Sequence, residues 1–218
     1  MLGAVLIVGG PKSIITSGLY KVLLPLFLVP LLGLGAGYIT MKIVLFATRN
    51  ATPRVNTLFQ RLQIVTMMIL ALSHSANDAQ KSMGMIALGL LLSGQITTFH
   101  IPFWVVAACA AAIAFGASRG DWRLMHTLGR KIYVIRPINA LASQAASGVV
   151  ILLSAVLGAP VSTSQVISMA LMGSGASERL GKVRWQVGVE MLLTWLVTIP
   201  VAMLIAALFV LLFNILHL

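Results

Sequence analysis

The chain has 218 residues, of which 59% are hydrophobic and 9% are charged, whereas a soluble domain carries about 25% charged residues. Several stretches lack Asp, Glu, Lys and Arg, including residues 22–41, 82–118, 137–177 and 191–218. Each is long enough to hold a span, which needs about 20 apolar residues. This composition excludes an ordinary soluble domain and predicts an all-α polytopic membrane protein built as a helical bundle.

The formal net charge is +11, and its placement argues against nucleic-acid binding. Basic residues cluster at 42–61, 119–136 and 179–184, while residues 94–100 and 214–218 carry none. Alternation of basic and uncharged loops is the positive-inside pattern, which places the basic loops in the cytoplasm.

Two further features bear on location and redox chemistry. The single cysteine, Cys109, excludes an intrachain disulfide and a thiolate metal cluster, and its Ala-rich surroundings predict a small buried side chain. The start of the chain lacks the pattern of a signal peptide. We therefore expect a multi-pass protein of a prokaryotic inner or cell membrane.

In the first half of the chain, residues 1–10 read as the end of a helix and residues 13–20 as a polar connection. Residues 22–47 form the first full span, in which Gly33, Gly35 and Gly37 allow close helix packing. A basic loop follows at 49–61. A helix over 60–92 would be roughly 50 Å long at ~1.5 Å per residue, which is too long for a bilayer core of roughly 30 Å. The helix must therefore tilt, bend or unwind, and we expect the bend at the polar residues 73–84.

The second half predicts further spans and connections. We expect an uncharged outer loop at 94–100, a short span at 101–117 and an amphipathic cytoplasmic segment at 121–136. A span at 138–157 and a short or re-entrant return leg at 161–174 follow. The chain then continues with a basic loop at 175–184 and a last span at 185–213, which is kinked at Pro200. The return leg is needed to keep both later basic loops on the cytoplasmic side.

The first motif, residues 73–84, reads Ser-His-Ser-Ala-Asn-Asp-Ala-Gln-Lys-Ser-Met-Gly. A carboxylate at membrane depth costs roughly 2.5–3.5 kcal/mol unless it faces a cavity, an ion or a partner. Asp78 is therefore a candidate site for a cation or a proton, and Asn77 beside it can both donate and accept hydrogen bonds. Two alternatives remain: Asp78 forms a structural ion pair with Lys81, and His74 is a hydrogen-bonded packing residue.

The second motif, residues 158–165, reads Gly-Ala-Pro-Val-Ser-Thr-Ser-Gln. Pro160 suits the first turn of a helix. Ser162, Thr163 and Ser164 would then place hydroxyl and backbone N–H groups at the positive end of that helix, an arrangement that suits a tetrahedral oxyanion. Helix capping alone is the alternative. Two interrupted hydrophobic segments are typical of secondary transporters.

These motifs resemble signatures of the PiT-type inorganic phosphate transporters. Residues 73–84 are similar to the family's second Gly-Ala-Asn-Asp signature, and residues 160–164 to its second Pro-Val-Ser-Thr-Thr motif. The resemblance continues at Phe59-Gln60-Arg61-Leu62-Gln63-Ile64, Asp121-Trp122-Arg123, Thr127-Leu128-Gly129 and Val183-Arg184-Trp185.

The resemblance implies a cation-coupled phosphate symporter built from two inverted repeats, with no cofactor beyond Na⁺ or H⁺. It implies that Asn77 and Asp78 serve phosphate and the coupling ion, that Ser162 serves both, and that Thr163 and Ser164 donate to phosphate. Ser75 replaces the family's Gly, and Ser164-Gln165 replaces Thr-His. These departures bear on substrate choice, so sulfate, arsenate or another tetrahedral oxyanion remains open.

Each motif occurs once, so the chain resembles the C-terminal part of a transporter. We expect residues 1–19 to be the end of a preceding repeat with its connection, and residues 20–218 to be the second repeat. The expected partners are inorganic phosphate, the lipid bilayer, and the missing first repeat or another copy. The loop-charge bias opposes an antiparallel dimer.

Two other functions remain in competition. One is a non-transporting membrane remnant or scaffold. The other is an intramembrane hydrolase using His74, Asp78 and a serine, but no nucleophile elbow accompanies these residues. We therefore expect a transporter and not an enzyme.

Overall fold

The computed structural model describes residues 2–10, 12, 15–50, 55–120, 135–159 and 161–215. The helices in these ranges are α1 (Leu2–Gly9), α2 (Thr16–Ala47), α3 (Val55–Leu92), α4 (Phe103–Ser118), α5 (Pro137–Val156), α6 (Thr163–Glu178) and α7 (Trp185–Ile215). A short 3₁₀ turn at Leu180–Lys182 follows α6. The described residues contain no strand, so the predicted all-α class is confirmed.

Three of these helices, α2, α5 and α7, are long and apolar enough to cross a membrane. The shorter helix α4 is also apolar. The chain forms two compact units, one from Met1–Leu24 with Arg184–Leu218 and one from Pro25–Val183. The boundary predicted after residue 19 stays a prediction.

Helix α2 begins earlier than the sequence predicted, at Thr16 and not at residue 22. Polar residues are favourable in the first turn of a helix, so the Thr-Ser pair at its start does not delay it. Pro25 and Pro30 lie inside α2. Proline is tolerated in membrane helices because neighbouring groups satisfy the backbone that it frees.

Helix α3 does not unwind at the first motif, so of the three expected outcomes unwinding is wrong, while tilt and bending stay predictions. It runs without interruption for 38 residues, about 57 Å at ~1.5 Å per residue. The hydroxyl of Ser73 donates to the Ile69 carbonyl of the same helix at 2.8 Å. The amide of Asn77 bonds outside α3, so it does not compete for the backbone hydrogen bonds of its own helix.

The predicted break at the second motif is confirmed. Helix α5 ends in a Schellman motif, in which the N–H of Gly158 bonds to Ala155 at 3.2 Å and that of Ala159 to Ser154 at 2.9 Å. Gly158 has φ +67, a left-handed conformation that favours glycine. Helix α6 then starts at Thr163 and continues to Glu178, beyond the predicted end at residue 174. Pro160 lies outside the described residues.

Helix α6 is the buried centre of the Pro25–Val183 unit, and glycines let it touch α2. A Cβ on Gly37 would lie 2.1 Å from the Ala170 carbonyl oxygen, and one on Gly173 would lie 2.0 Å from that of Leu34. Gly33 approaches Val166 in the same way, whereas Gly35 faces open space. The predicted packing role is confirmed for Gly33 and Gly37.

The remaining helices complete each unit. Helix α3 packs against α4 and α5, and α5 packs against α6. In the other unit α1 packs against α7, where Gly3 meets the backbone of Met203. Cys109 is buried, as predicted. The predicted amphipathic segment at 121–136 lies outside the described residues except for its last two.

Candidate functional site

The two motifs meet at one backbone carbonyl. The side-chain amide of Asn77 on α3 donates to the carbonyl oxygen of Val161 at 3.2 Å. The ammonium of Lys81, on the next turn of α3, donates to the same oxygen at 2.6 Å. Val161 directly precedes Ser162, so the polar face of α3 lies beside the start of α6.

The carboxylate of Asp78 lies at this junction with three polar neighbours. Its Oδ1 is 3.1 Å from the Lys81 ammonium and 3.4 Å from the Asn77 amide nitrogen, while its Oδ2 is 2.9 Å from His74 Nε2. The ion pair between Asp78 and Lys81, which the sequence suggested as an alternative to cation binding, is therefore present in the structure. The Asp78 side chain is 40% exposed, and ion pairs so exposed contribute about 0–1 kcal/mol. Stability alone does not explain a carboxylate in this helix.

The start of α6 presents an open hydrogen-bonding end. Ser162 is the N-cap residue, but its side chain makes no capping bond. Its hydroxyl oxygen lies 3.3 Å from that of Ser164. The first backbone N–H groups of a helix lack intrahelical acceptors, and they point toward the place where an anion binds. Capping by Ser162 therefore does not account for the second motif.

Gln165, in the first turn of α6, has a buried side-chain oxygen that nothing in the sequence indicated beyond the departure of Gln165 from the family motif. Its side chain is 7% exposed, and its Oε1 accepts no hydrogen bond among the described residues. A buried acceptor without a donor costs about 1–3 kcal/mol. This oxygen is therefore a candidate contact for a ligand or another polar group.

The structure thus brings Asn77 and Asp78 to the segment that opens α6, whose first residues are Ser162, Thr163 and Ser164. Thr163 is buried and Ser164 is exposed. No three His, Cys, Asp or Glu side chains come together within the described ranges. A cation at Asp78 would then take its other ligands from amide, hydroxyl or carbonyl oxygens.

Sequence reasoning undervalued Lys81 and His74. Their spacing from Asp78, three residues after it and four before it, predicts contacts along one helix face. The contact of Lys81 with Val161 joins two distant segments, and no local pattern indicates it.

Residues 46–206 match the model of the phosphate transporter family. Proteins from Rhizobium meliloti (strain 1021) and Bacillus subtilis (strain 168), both named "Probable low-affinity inorganic phosphate transporter", are 37% and 35% identical to the chain. The alignments cover 95% and 94% of this chain, but only 63% and 62% of these relatives. A Mycobacterium bovis protein of the same name is 38% identical, over 95% of this chain and 51% of its own length.

A solved structure named "The sodium-dependent phosphate transporter" has the same fold. Its TM-score is 0.85 at 19% identity, over 98% of this chain and 71% of that chain. The apolar helices and the bacterial relatives identify a multi-pass protein of the cell membrane. The chain spans between half and two thirds of the length of these three curated relatives.

Proposed function

This chain belongs to the phosphate transporter family, and on that premise we propose that it moves inorganic phosphate across the membrane by symport with a cation, as part of a larger or split transporter. The contact of Asn77 and Lys81 with the Val161 carbonyl carries this proposal. It brings a carboxylate on α3 beside the positive end of α6. Such a pair of opposite charges suits a cation and an anion bound next to each other.

In this proposal phosphate binds at the start of α6. The backbone N–H groups of the first turn donate to its oxygens, together with the hydroxyls of Ser162, Thr163 and Ser164. Hydrogen bonds to a charged acceptor are about twice as strong as neutral ones. The absence of a capping bond from Ser162 supports this role.

Asp78 makes phosphate binding depend on the cation. A carboxylate and a phosphate repel each other, and a cation bound at Asp78 with help from Asn77 and Ser162 removes this repulsion. Each ligand then raises the affinity for the other by the same factor. Cation binding competes with the contact between Lys81 and Asp78 Oδ1.

We propose Na⁺ as the coupling ion. The solved structure with the same fold is named sodium-dependent, which supports this choice. The alternative, H⁺, is supported by the 2.9 Å contact between His74 and Asp78, where a proton would be shared.

We further propose that a second Asn-Asp and Ser-Thr pair completes the site, from another part of the transporter or another copy. The Asp78 side chain is 40% exposed, which leaves room for a facing element. Curated relatives longer than the chain also support this idea.

Sulfate is the second candidate substrate. The two anions differ because monohydrogen phosphate has a proton to donate and sulfate has none. The unpartnered Oε1 of Gln165 favours the anion that donates, since a buried polar group left unpaired discriminates strongly.

Uptake of radiolabelled phosphate into proteoliposomes tests the proposal, with an inward Na⁺ gradient, a proton gradient or neither, and with sulfate as competitor. Uptake that needs one gradient and resists sulfate is the expected result. Phosphate binding without uptake would support the site and show that transport needs the second motif pair. Folded chain that neither binds nor transports phosphate would contradict the proposal and favour a non-transporting scaffold.

A further inference from the structure

A second polar cluster lies at the other end of α6, away from the proposed phosphate site. The carboxylate of Glu178 accepts hydrogen bonds from Asn139 at 2.6 Å and from Lys182 at 2.7 Å, and it pairs with the Arg136 guanidinium. Its side chain is 13% exposed. The carboxylate is therefore fully engaged in joining the start of α5 to the end of α6.

This cluster forms one wall of a cavity of about 880 Å³. The cavity is lined by Leu45, Arg136, Ile138, Glu178, Arg179, Gly181 and Lys182. Three of these side chains are cationic and one is anionic, so the lining carries a net charge of +2. The side chain of Arg179 has no acidic partner among the described residues, although it lines the cavity.

We propose that this cavity binds a phosphate group, either free inorganic phosphate or the head group of an anionic lipid. Arginine presents a planar fork of donors that matches phosphate oxygens. The cavity lies at the N-terminus of α5 and at the C-terminus of α6, so the two helix dipoles oppose each other there. The attraction for an anion therefore comes from the cationic side chains. The site goes beyond the proposed function and does not depend on it.

The walls fit both sources of the phosphate group. Leu45 and Ile138 are apolar lining residues, against which a lipid chain would pack. Residues 179–184, which follow α6, belong to the basic segment that is predicted to be cytoplasmic. There anionic lipids attract basic segments by about 1 kcal/mol per Lys or Arg. Free phosphate would use the cationic residues alone.

A reporter within the cavity tests this proposal. Gly181 has open space around its Cα, so Gly181→Cys in a Cys109→Ala background accepts a fluorescent label. The labelled chain in phosphatidylcholine nanodiscs is titrated with inorganic phosphate, against sodium chloride of equal ionic strength. Separate nanodiscs contain increasing fractions of phosphatidylglycerol.

A saturable response to phosphate in neutral nanodiscs would identify free phosphate, and a response to phosphatidylglycerol alone would identify a lipid head group. In either case Arg179→Gln weakens the apparent affinity about tenfold or more, as the loss of one charge-assisted hydrogen bond implies. Arg179→Lys weakens it less. Arg119→Gln is the matched control, because Arg119 stacks on Phe115 at the end of α4 and does not line the cavity.

The proposal fails if neither ligand changes the fluorescence beyond the chloride control, or if Arg179→Gln responds as the parent does. Asp78→Asn separates this site from the transport site. Its cavity response should equal that of the parent even if uptake is lost. Loss of the response in Asp78→Asn would mean that the label reports the transport site, and this too would overturn the proposal.

Discussion

Neighbouring residues of the first motif are expected to differ in what they contribute. Asn77 is 2% exposed and bonds to the Val161 carbonyl, whereas the ion pairs of Asp78 are about two-fifths exposed. Burial makes a hydrogen bond costly to lose, and exposure makes an ion pair weak. Asn77 therefore links α3 to the segment before α6, in addition to its proposed role at the cation, while Asp78 adds little to the stability of the fold.

We predict that Asn77→Leu lowers the free energy of unfolding by about 0.5–1.5 kcal/mol, because it removes a buried hydrogen bond while the Val161 carbonyl keeps its bond from Lys81. Asp78→Asn should change it by less than about 1 kcal/mol. Thermal unfolding of both variants in the same detergent measures the difference. A larger loss in Asp78→Asn than in Asn77→Leu would show that the ion pairs hold the fold.

Glu178 gives the chain a specific acid sensitivity. Burial raises its pKa, but hydrogen bonds from Lys182 and Asn139 and the charges of Lys182 and Arg136 outweigh burial, so its pKa lies below the ordinary value of 4.5. A carboxyl with a lowered pKa stabilises the fold above its unfolded pKa, and this contribution is lost as pH falls through the folded pKa. The chain has only four Asp and Glu residues, so few groups obscure the effect.

We predict that Glu178→Gln lowers the free energy of unfolding by about 1–3 kcal/mol at pH 7. Below the folded pKa of Glu178 the variant should approach the parent. Unfolding measured from pH 7 down to pH 3 checks this convergence. Glu190→Gln, at an exposed position on α7, is the control and should keep the pH profile of the parent. A constant difference between Glu178→Gln and the parent would contradict the linkage.

At the scale of helices, the contact between α2 and α6 depends on glycine at particular positions. We predict that Gly37→Ala destabilises the chain by about 1–3 kcal/mol or more, because its Cβ would lie 2.1 Å from the Ala170 carbonyl oxygen and force the helices apart. Thermal unfolding in detergent measures the loss.

Gly35→Ala is the matched control, on the same helix with nothing within 4 Å of its Cβ. Alanine has the higher helix propensity, so this variant should be as stable as the parent or more stable by up to about 1 kcal/mol. Equal effects of the two substitutions would mean that helix propensity, and not the contact with α6, determines the change in stability.

The sequence predicted the helices better than their ends and breaks. Uncharged stretches identified the spans, and Gly158 with the polar residues after it identified the break before α6. The first motif suggested a second break, but α3 is continuous. The polar groups of Asn77 and Lys81 find their partner, the Val161 carbonyl, in the segment that connects α5 to α6. Local propensity gives no sign of such a contact. The extension of α6 to Glu178 was missed for the same reason. The side chain of Glu178 finds its partners, which include Arg136 and Asn139, in another segment of the chain.

For the whole molecule, loop charge predicts the orientation in the membrane. We expect Ser118→Cys to face the cytoplasm and Thr97→Cys the outside, because basic residues follow the first and none lies near the second. Both positions are exposed, at opposite ends of α4. A membrane-impermeant thiol reagent applied to intact cells, in a Cys109→Ala background, should label only Thr97→Cys. Labelling of only Ser118→Cys would show that the orientation in the membrane is the opposite of the predicted one.

The candidate site was predictable in its parts but not in its assembly. The rarity of acidic residues indicated Asp78, and the Pro-Val-Ser-Thr pattern indicated the start of α6. That these segments share the Val161 carbonyl follows from tertiary packing. The buried Oε1 of Gln165, which accepts no hydrogen bond among the described residues, had no sequence signal beyond the departure of Gln165 from the family motif.

In the proposed mechanism Asp78 makes phosphate binding at the start of α6 depend on a cation. The most direct test is the affinity for phosphate, measured by titration calorimetry with Na⁺ present or replaced by choline, and again across pH. We predict that Na⁺ tightens binding to the parent and to Glu190→Gln, while Asp78→Asn binds phosphate with the same affinity in both salts. Unchanged Na⁺ dependence in Asp78→Asn would contradict the account.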